Sequence, residues 1–271
     1  MDIKRVMAML ILSKVFFCPG EGFAELIDKP PFFVGGEVSY IKYEEPGVME
    51  EKGMMYGVSG AYTYRHSEVP LVLRAESKFS VGEVDYTSAR TGSIDNIDDY
   101  MLEVRGTAGI NSRPIGKFVF MPYFGIGYRY LNDDSGGMTS TTCAKGYERE
   151  SNYYYSPMGI EVTEEFKNGW SLGWIMEYDL FWSGKQKSRL SDIAGYGDLE
   201  NDQGSGYGMR SSVKIMKKSK NIELLFEAFI RYWDIGESDL SEMTYKDVII
   251  GYGYEPENNS TEIGLKAGIN F

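Results

Sequence analysis

Two-residue alternation sustained over stretches too long for an ordinary soluble strand is the feature that most limits how this chain can fold. Residues 169–183 show it best. Trp170, Leu172, Trp174, Met176, Tyr178, Leu180 and Trp182 share one side, and Ser171, Gly173, Ile175, Glu177, Asp179, Phe181 and Ser183 the other. Successive side chains of a strand point to opposite faces, so this segment has one apolar and one polar face. The terminal STEIGLKAGINF repeats the pattern, with Thr261, Ile263, Leu265, Ala267, Ile269 and Phe271 opposed to Glu262, Gly264, Lys266, Gly268 and Asn270.

Ten such strands are expected, near 33–43, 54–65, 70–82, 99–110, 117–131, 152–165, 169–183, 206–217, 221–235 and 260–271. Strands of soluble domains usually run about five or six residues, whereas about nine to eleven tilted residues cross a bilayer. The connections also alternate. Long polar segments, EEPGVMEEKG, the stretch around TSARTGSIDN, NDDSGGMTSTTCAKGYERE, KQKSRLSDIAGYGDLENDQGS and GESDLSEMTYKDVIIGYGYEPENN, follow the odd-numbered strands, and the short HSEV, NSRPIG, KNG and KSK follow the even ones. An up-and-down transmembrane barrel has this asymmetry. The expected fold is therefore all-β: a single ten-stranded antiparallel up-and-down transmembrane β-barrel with five long extracellular loops, short periplasmic turns and both chain ends at the periplasmic side.

The faces divide the chemistry. The outward set has no charge over its central span, as lipid requires, because a charge at the bilayer midplane costs about 2–4 kcal/mol. Tyr128, Tyr130, Trp170, Trp182, Tyr232 and Phe271 fall near strand ends, where aromatic residues anchor at a lipid interface. The inward set carries Glu37, Glu76, Glu103, Glu161, Glu177, Asp179, Glu223, Glu227 and Glu262 against Arg65, Arg74, Lys78, Arg105, Arg129, Arg210, Lys214, Arg231 and Lys266. Balanced charge in a narrow barrel implies mutual pairing and a lumen filled by side chains, since a water-filled pore usually needs more strands. Pro122 and Pro157 lack a ladder donor and sit awkwardly in strands unless a bulge accommodates them.

Composition adds boundaries. Residues 1–24 carry Lys4 and Arg5, an apolar run and small residues up to Ala24, the pattern of a secretory signal peptide cleaved after Ala24, with the barrel over 25–271. Cys18 raises a lipoprotein alternative, but Val15, Phe16 and Phe17 before it are too large for that processing. Cleavage would leave Cys143 as the one cysteine, which excludes an internal disulfide and a cysteine metal cluster. The net charge is −12, and losing Lys4, Arg5 and Lys14 with Asp2 and Glu21 makes it −13, which argues against a nucleic-acid partner. With the lumen balanced, the excess acid is expected in the outer loops.

Four features could carry chemistry. His66, the single histidine, falls in the first short turn, where a solvated turn residue is expected rather than a base. The acidic groups Asp95/Asp98/Asp99, Asn132-Asp133-Asp134 and Asp198–Asp202 lack the spacing that surrounds calcium with six to eight oxygens, so surface acids are expected and no metal or cofactor. Tyr153-Tyr154-Tyr155 and Tyr252-Gly-Tyr254 are assigned to the aromatic girdle. Arg231-Tyr232-Trp233-Asp234-Ile235 combines an inward ion-pair residue with an outward anchor.

The segments NYYYSPMGIEV and MEYDLFWSGKQKSRLSD, with the chain length, strand count and loop pattern, give residues 33–271 an architecture similar to the omptins, ten-stranded outer-membrane proteases. The resemblance implies the fold. Omptin chemistry needs a histidine–aspartate pair and an aspartate pair near the outer rim. Asp85, Asp95, Asp98 and Asp99 could stand for the aspartates, but no histidine lies on that side, so no catalytic residue carries over.

These readings leave three functions open: a non-enzymatic outer-membrane barrel with acidic loops serving envelope structure, adhesion or ligand binding; a small porin-like channel; or an omptin-like hydrolase. The first is the expectation, as a monomer whose partners are outer-membrane lipid and lipopolysaccharide and whose C-terminal strand is read by the outer-membrane assembly machinery.

Overall fold

A computed structural model describes residues 29–112 and 114–271, so the expected leader, its cleavage site and Cys18 lie outside the described residues. The barrel wall consists of β1 (Phe32–Glu45), β2 (Met49–Arg65), β3 (Leu71–Ser88), β4 (Gly92–Ile110), β5 (Phe118–Asp134), β6 (Glu148–Glu165), β7 (Trp170–Ser188), β9 (Gly206–Ser219), β10 (Ile222–Ile235) and β13 (Asn258–Asn270). At one end stand the short β8 (Leu199–Gln203), β11 (Ser241–Tyr245) and β12 (Val248–Gly253). All wall neighbours are antiparallel, β6 pairs with β7, and β13 pairs with both β10 and β1. The sheet thus closes on itself, and the closing strand is the alternating C-terminal segment. At the seam Phe32 and Phe271 exchange backbone hydrogen bonds of 3.2 and 2.9 Å. Closure gives wall donors and acceptors partners without relying on water.

The ten expected strands are all present, and most run several residues further at the loop end. This extension removes two of the expected long loops. β1 and β2 are joined only by Pro46, Gly47 and Val48, with Gly47 at φ +77°, and β3 and β4 only by Ala89, Arg90 and Thr91. The pairings Lys42↔Lys52 and Glu44↔Glu50 continue the ladder into EEPGVMEEKG, and Tyr86↔Ile94 and Thr87↔Ser93 into TSARTGSIDN. Both faces turn polar there, so the hydrophobic alternation that marks a strand fades while the backbone pairing persists. Long connections remain after β5, after β7, where β8 pairs with Gly184–Ser188, and after β10, where β11 and β12 form a hairpin.

The outer surface is apolar across the middle of the wall, with Val34, Val58, Val81, Ile126 and Leu265 exposed, and the outward face of β7 runs apolar from Trp170 to Trp182. Aromatic rings gather at both margins. Toward the loops Tyr100 lies 5.7 Å from Tyr130, Tyr128 5.1 Å from Tyr154, and Tyr207 6.0 Å from Tyr178 and 6.1 Å from Tyr232. Toward the turns Phe32 lies 5.0 Å from Tyr62 and 5.9 Å from Phe271, while Lys217 sits over the Trp170 ring. Beyond the loop-side belt the outer face becomes charged, where Lys42 pairs with Glu44 and Glu50 at 2.9 Å.

Pro122 needs no bulge, because the β4–β5 ladder ends at Gly109↔Tyr123 and the proline falls just past its last pair. Pro157 lies near an irregularity, since the β6–β7 register shifts between Tyr154 and Tyr155 and skips Trp182.

Candidate functional site: a charge-paired lumen beneath a vestibule

Inward parity brings acids and bases from distant strands to within bonding reach. Arg210 on β9 is the centre: Nη1 donates to Glu103 Oε2 at 2.8 Å, and Nε lies 2.7 Å from Asp179 Oδ2 and 3.1 Å from Glu177. Arg105 bridges Glu76 at 2.8 Å and Glu177 at 2.6 Å. Across the barrel Lys78 meets Glu37 at 3.1 Å and Glu262 at 2.7 Å, and Arg231 reaches the same two acids at 3.3 and 3.1 Å. Nearer the turns Arg74 pairs with Glu161 at 3.1 Å, Lys214 approaches Glu161 at 3.8 Å, and Lys266 lies 3.4 Å from Glu227. Among these groups lie a cavity of about 90 Å³ beside Glu103, Arg105 and Arg210 and one of about 60 Å³ beside Arg74 and Glu161, each with room for a few waters.

Arg129 behaves differently from the other inward bases. Its guanidinium lies 5.9 Å from the Tyr153 ring and 5.5 Å from Trp233, and it donates to Ser260 Oγ at 3.4 Å. Arg65 donates to the Lys29 carbonyl, and Glu223 accepts from Asn270.

Aromatic and aliphatic groups also fill the lumen. Tyr153, Tyr155, Phe181, Trp233 and Ile235 form one buried cluster, and Ile41, Met55, Val84, Ile97 and Met101 another. This corrects the girdle assignment of Tyr153-Tyr154-Tyr155: Tyr154 alone points outward, and its neighbours are buried inside. The reason is parity, since adjacent strand residues cannot share a face. Tyr155 donates to Glu103 at 2.7 Å across the bare backbone of Gly127, where a Cβ would come 2.2 Å from the tyrosine Cζ. Gly127→Val is therefore expected to expel the ring and lower stability by about 1–3 kcal/mol. Urea unfolding checks this against Gly106→Ala, whose added methyl meets nothing within 4 Å.

Above the ion pairs the extended strands and long loops enclose a vestibule of about 740 Å³. Arg149 on β6 crosses its floor, 2.5 Å from Glu45 and 2.6 Å from Glu255, with its guanidinium 5.4 Å from the Tyr43 ring. Glu51 lines the floor 3.8 Å from Arg149. Beneath it Asp99 and Asp133 stand opposite each other in the β4–β5 register. These are buried residues, which corrects the expectation of solvated loop acids for Asp99 and Asp133. Asp133 lies within hydrogen-bonding reach of Glu51, with which it can share a proton, and Asp99 Oδ1 has no hydrogen-bond partner among the described residues. Burial and the neighbouring Asp133 carboxyl hold the carboxyl of Glu51, which lies beyond the aromatic belt, well above the usual range. Burial also raises Glu255, and Arg149 only partly offsets it.

The reading of the sequence missed this floor, because Arg149, Glu45, Glu51 and Glu255 all lie in segments assigned to loops. Continuing the inward parity of Ile41 and Tyr43 to Glu45, and of Met55 back to Glu51, would have found two of them.

The remaining candidates fall elsewhere. His66 closes the β2–β3 turn, its Nδ1 accepting from the Glu68 and Val69 amides at 3.1 and 3.3 Å, at the opposite end from the vestibule. Trp170, Trp182 and Phe271 are exposed outside, with Tyr128, Tyr130 and Tyr232 half-buried in the loop-side belt. Tyr252 and Tyr254 are exposed at the loop end, where Tyr254 lines the vestibule. Among the described residues no three histidine, cysteine or acidic side chains converge as a metal-binding group.

A closed antiparallel barrel with an apolar outer band, aromatic margins and a charged interior is the outer-membrane β-barrel fold. No family model and no curated protein matches the sequence. Solved structures similar in fold include Neisserial surface protein A (NspA), 12% identical over 89% of this chain and 97% of that one, TM-score 0.35. The translocator domain of the autotransporter NalP from Neisseria meningitidis is 13% identical over 98% and 97%, TM-score 0.38. A deltaS2 mutant of the monoaromatic hydrocarbon channel TodX is 11% identical over 95% and 92%, TM-score 0.36.

Proposed function

We propose that this protein is an integral, non-enzymatic barrel of a bacterial outer membrane that does not conduct, and that its loop-end vestibule binds small-molecule ligands. The observation that carries the reading is the pairing of a 740 Å³ vestibule with lumen cavities of about 90 and 60 Å³ among crossing ion pairs. A cavity of several hundred Å³ suits an organic ligand, while the crossing ion pairs below it oppose passage. The outward apolar band and its two aromatic margins fit a bilayer, with the short turns in the periplasm and the loops outside. Lipid and lipopolysaccharide contact the wall in this reading, β13 serves the assembly machinery, and the barrel works as a monomer.

Planar-bilayer recording of the purified protein tests the closed lumen. No steady single-channel openings are expected, and reproducible openings would overturn the reading in favour of a channel.

A further inference from the structure

We infer that the hairpin of β11 and β12 takes up an extended segment of a partner protein as a third strand along the free edge of β12, and that this segment has an apolar middle and basic ends. β12 pairs with β11 alone, and among the described residues no other backbone hydrogen bond reaches Val248–Gly253. Alternate residues of an antiparallel strand turn their N–H and C=O groups away from the partner, so β12 presents an unpaired row. Asn201 Nδ2 meets this strand only at its end, donating to the Gly253 carbonyl at 3.2 Å. The side chains along the edge are apolar and uncovered. Val248, Ile249, Ile250 and Tyr252 are 63, 51, 53 and 63% exposed, although neighbours along a strand point to opposite faces. Edge strands are usually blunted by charge or proline, and VIIGYG has neither; a single register shift, at Ile250, interrupts its pairing.

Lipid, a second copy of the chain and a partner strand are the candidates to cover this edge, and its surroundings select the last. Hydrocarbon cannot hydrogen-bond the free N–H and C=O groups, so lipid would cover the side chains and leave the backbone unsatisfied. Self-pairing would set acid against acid. Asp247 precedes β12 and Glu257 follows it, both are exposed, and neither has an ion-pair partner among the described residues. Lys246, beside Asp247, is turned onto the Tyr245 ring at 5.4 Å. Two antiparallel copies would bring Asp247 of each near Glu257 of the other, in chains that each carry a net charge of −12. A foreign strand with lysine or arginine at both ends instead meets both acids, pairs the free backbone and packs its middle on the isoleucines. The site is separate from the vestibule, to which the hairpin contributes Met243 and Gly253.

The test titrates the full barrel, refolded in zwitterionic micelles, with three labelled synthetic peptides followed by fluorescence anisotropy. These are KKVTVTVKK, the acidic EEVTVTVEE, and KKVTVTVKK methylated on its five central amide nitrogens. The first should bind about tenfold or more tightly than either of the others, because only it offers both backbone donors and matching charge. Ile249→Ser with Ile250→Ser should weaken it by a similar factor, and Asp247→Asn with Glu257→Gln should reduce its advantage over the acidic peptide to about twofold. Both variants should keep the heat-modifiable gel migration of the folded barrel. Equal binding of the methylated peptide would overturn strand addition, and equal binding of the acidic one would overturn the basic ends. Binding that the isoleucine variant leaves unchanged, or no binding of any peptide, would overturn the inference as a whole. A dimer in analytical ultracentrifugation that this variant abolishes, without peptide binding, would reassign the edge to a second copy of the chain.

Discussion

Replacing Arg210 with alanine is expected to destabilise the barrel by about 3–5 kcal/mol, the range for removing one partner of a buried ion pair. Three acids depend on this guanidinium: Glu103, Asp179 and Glu177 all lie within bonding distance of it. Its plane also lies 5.5 Å from the Tyr155 ring and 5.8 Å from Trp233, so packing is lost with the charge. Arg105 still serves Glu177, but among the described residues no other cation lies within 4 Å of Glu103 or Asp179. Urea unfolding in lipid vesicles, followed by tryptophan fluorescence, measures the loss. Adding Glu103→Gln to Arg210→Ala should recover part of it, because the second change removes a charge that the first left unpaired. Lys185→Ala, at an exposed pair with Glu200, should leave the transition unmoved.

The same groups show how far the sequence could be read. Parity alone assigned Glu103, Glu177, Asp179 and Arg210 to one interior, since two-residue periodicity is a backbone property independent of which strand faces which. It could not say which acid meets which base, because that depends on strand stagger and side-chain reach across the lumen. Nor could it see that Arg129 would settle against Tyr153 and Trp233. The apolar rule failed where both faces have the same character. In Tyr153-Tyr154-Tyr155 composition cannot distinguish inside from outside, and in Lys42–Lys52 charge on the outer face hides a continuing ladder. The candidate site lies in that second blind region, which is why the lumen was legible and the vestibule floor was not.

Lumen and floor also differ in how they treat charge. In the lumen, basic groups from facing strands meet the acids, and Glu37, Glu76, Glu103, Glu161, Glu177 and Glu262 each touch an arginine or lysine. At the floor, Glu45, Glu51 and Glu255 share the single Arg149, and Arg129 acts on Asp99 below them. Natural sequences break local rules of pairing mainly at functional sites, where stability is given up for binding. The acid-rich floor of an otherwise charge-matched barrel is therefore where removing a negative charge should add stability.

Glu51→Gln is accordingly expected to stabilise the protein by about 1–3 kcal/mol at pH 8, the scale of an uncompensated buried polar group. The sign follows from linkage. Glu51 has a folded pKa above its unfolded one, about 4.3, because burial and the neighbouring Asp133 carboxyl disfavour ionisation. Its contribution to stability is full below the unfolded value and is lost as pH rises through the folded one. The wild-type protein should thus lose stability relative to Glu51→Gln as pH rises above about 4, with the gap closing at the acid end. Groups remote from Glu51 are common to both proteins, so the difference between their urea midpoints across pH isolates Glu51 together with the Asp133 carboxyl beside it. A gap that stays constant with pH would mean that Glu51 keeps its charge at no cost. A gap that widens toward acid would mean that the carboxylate is paired with a cation in the folded protein.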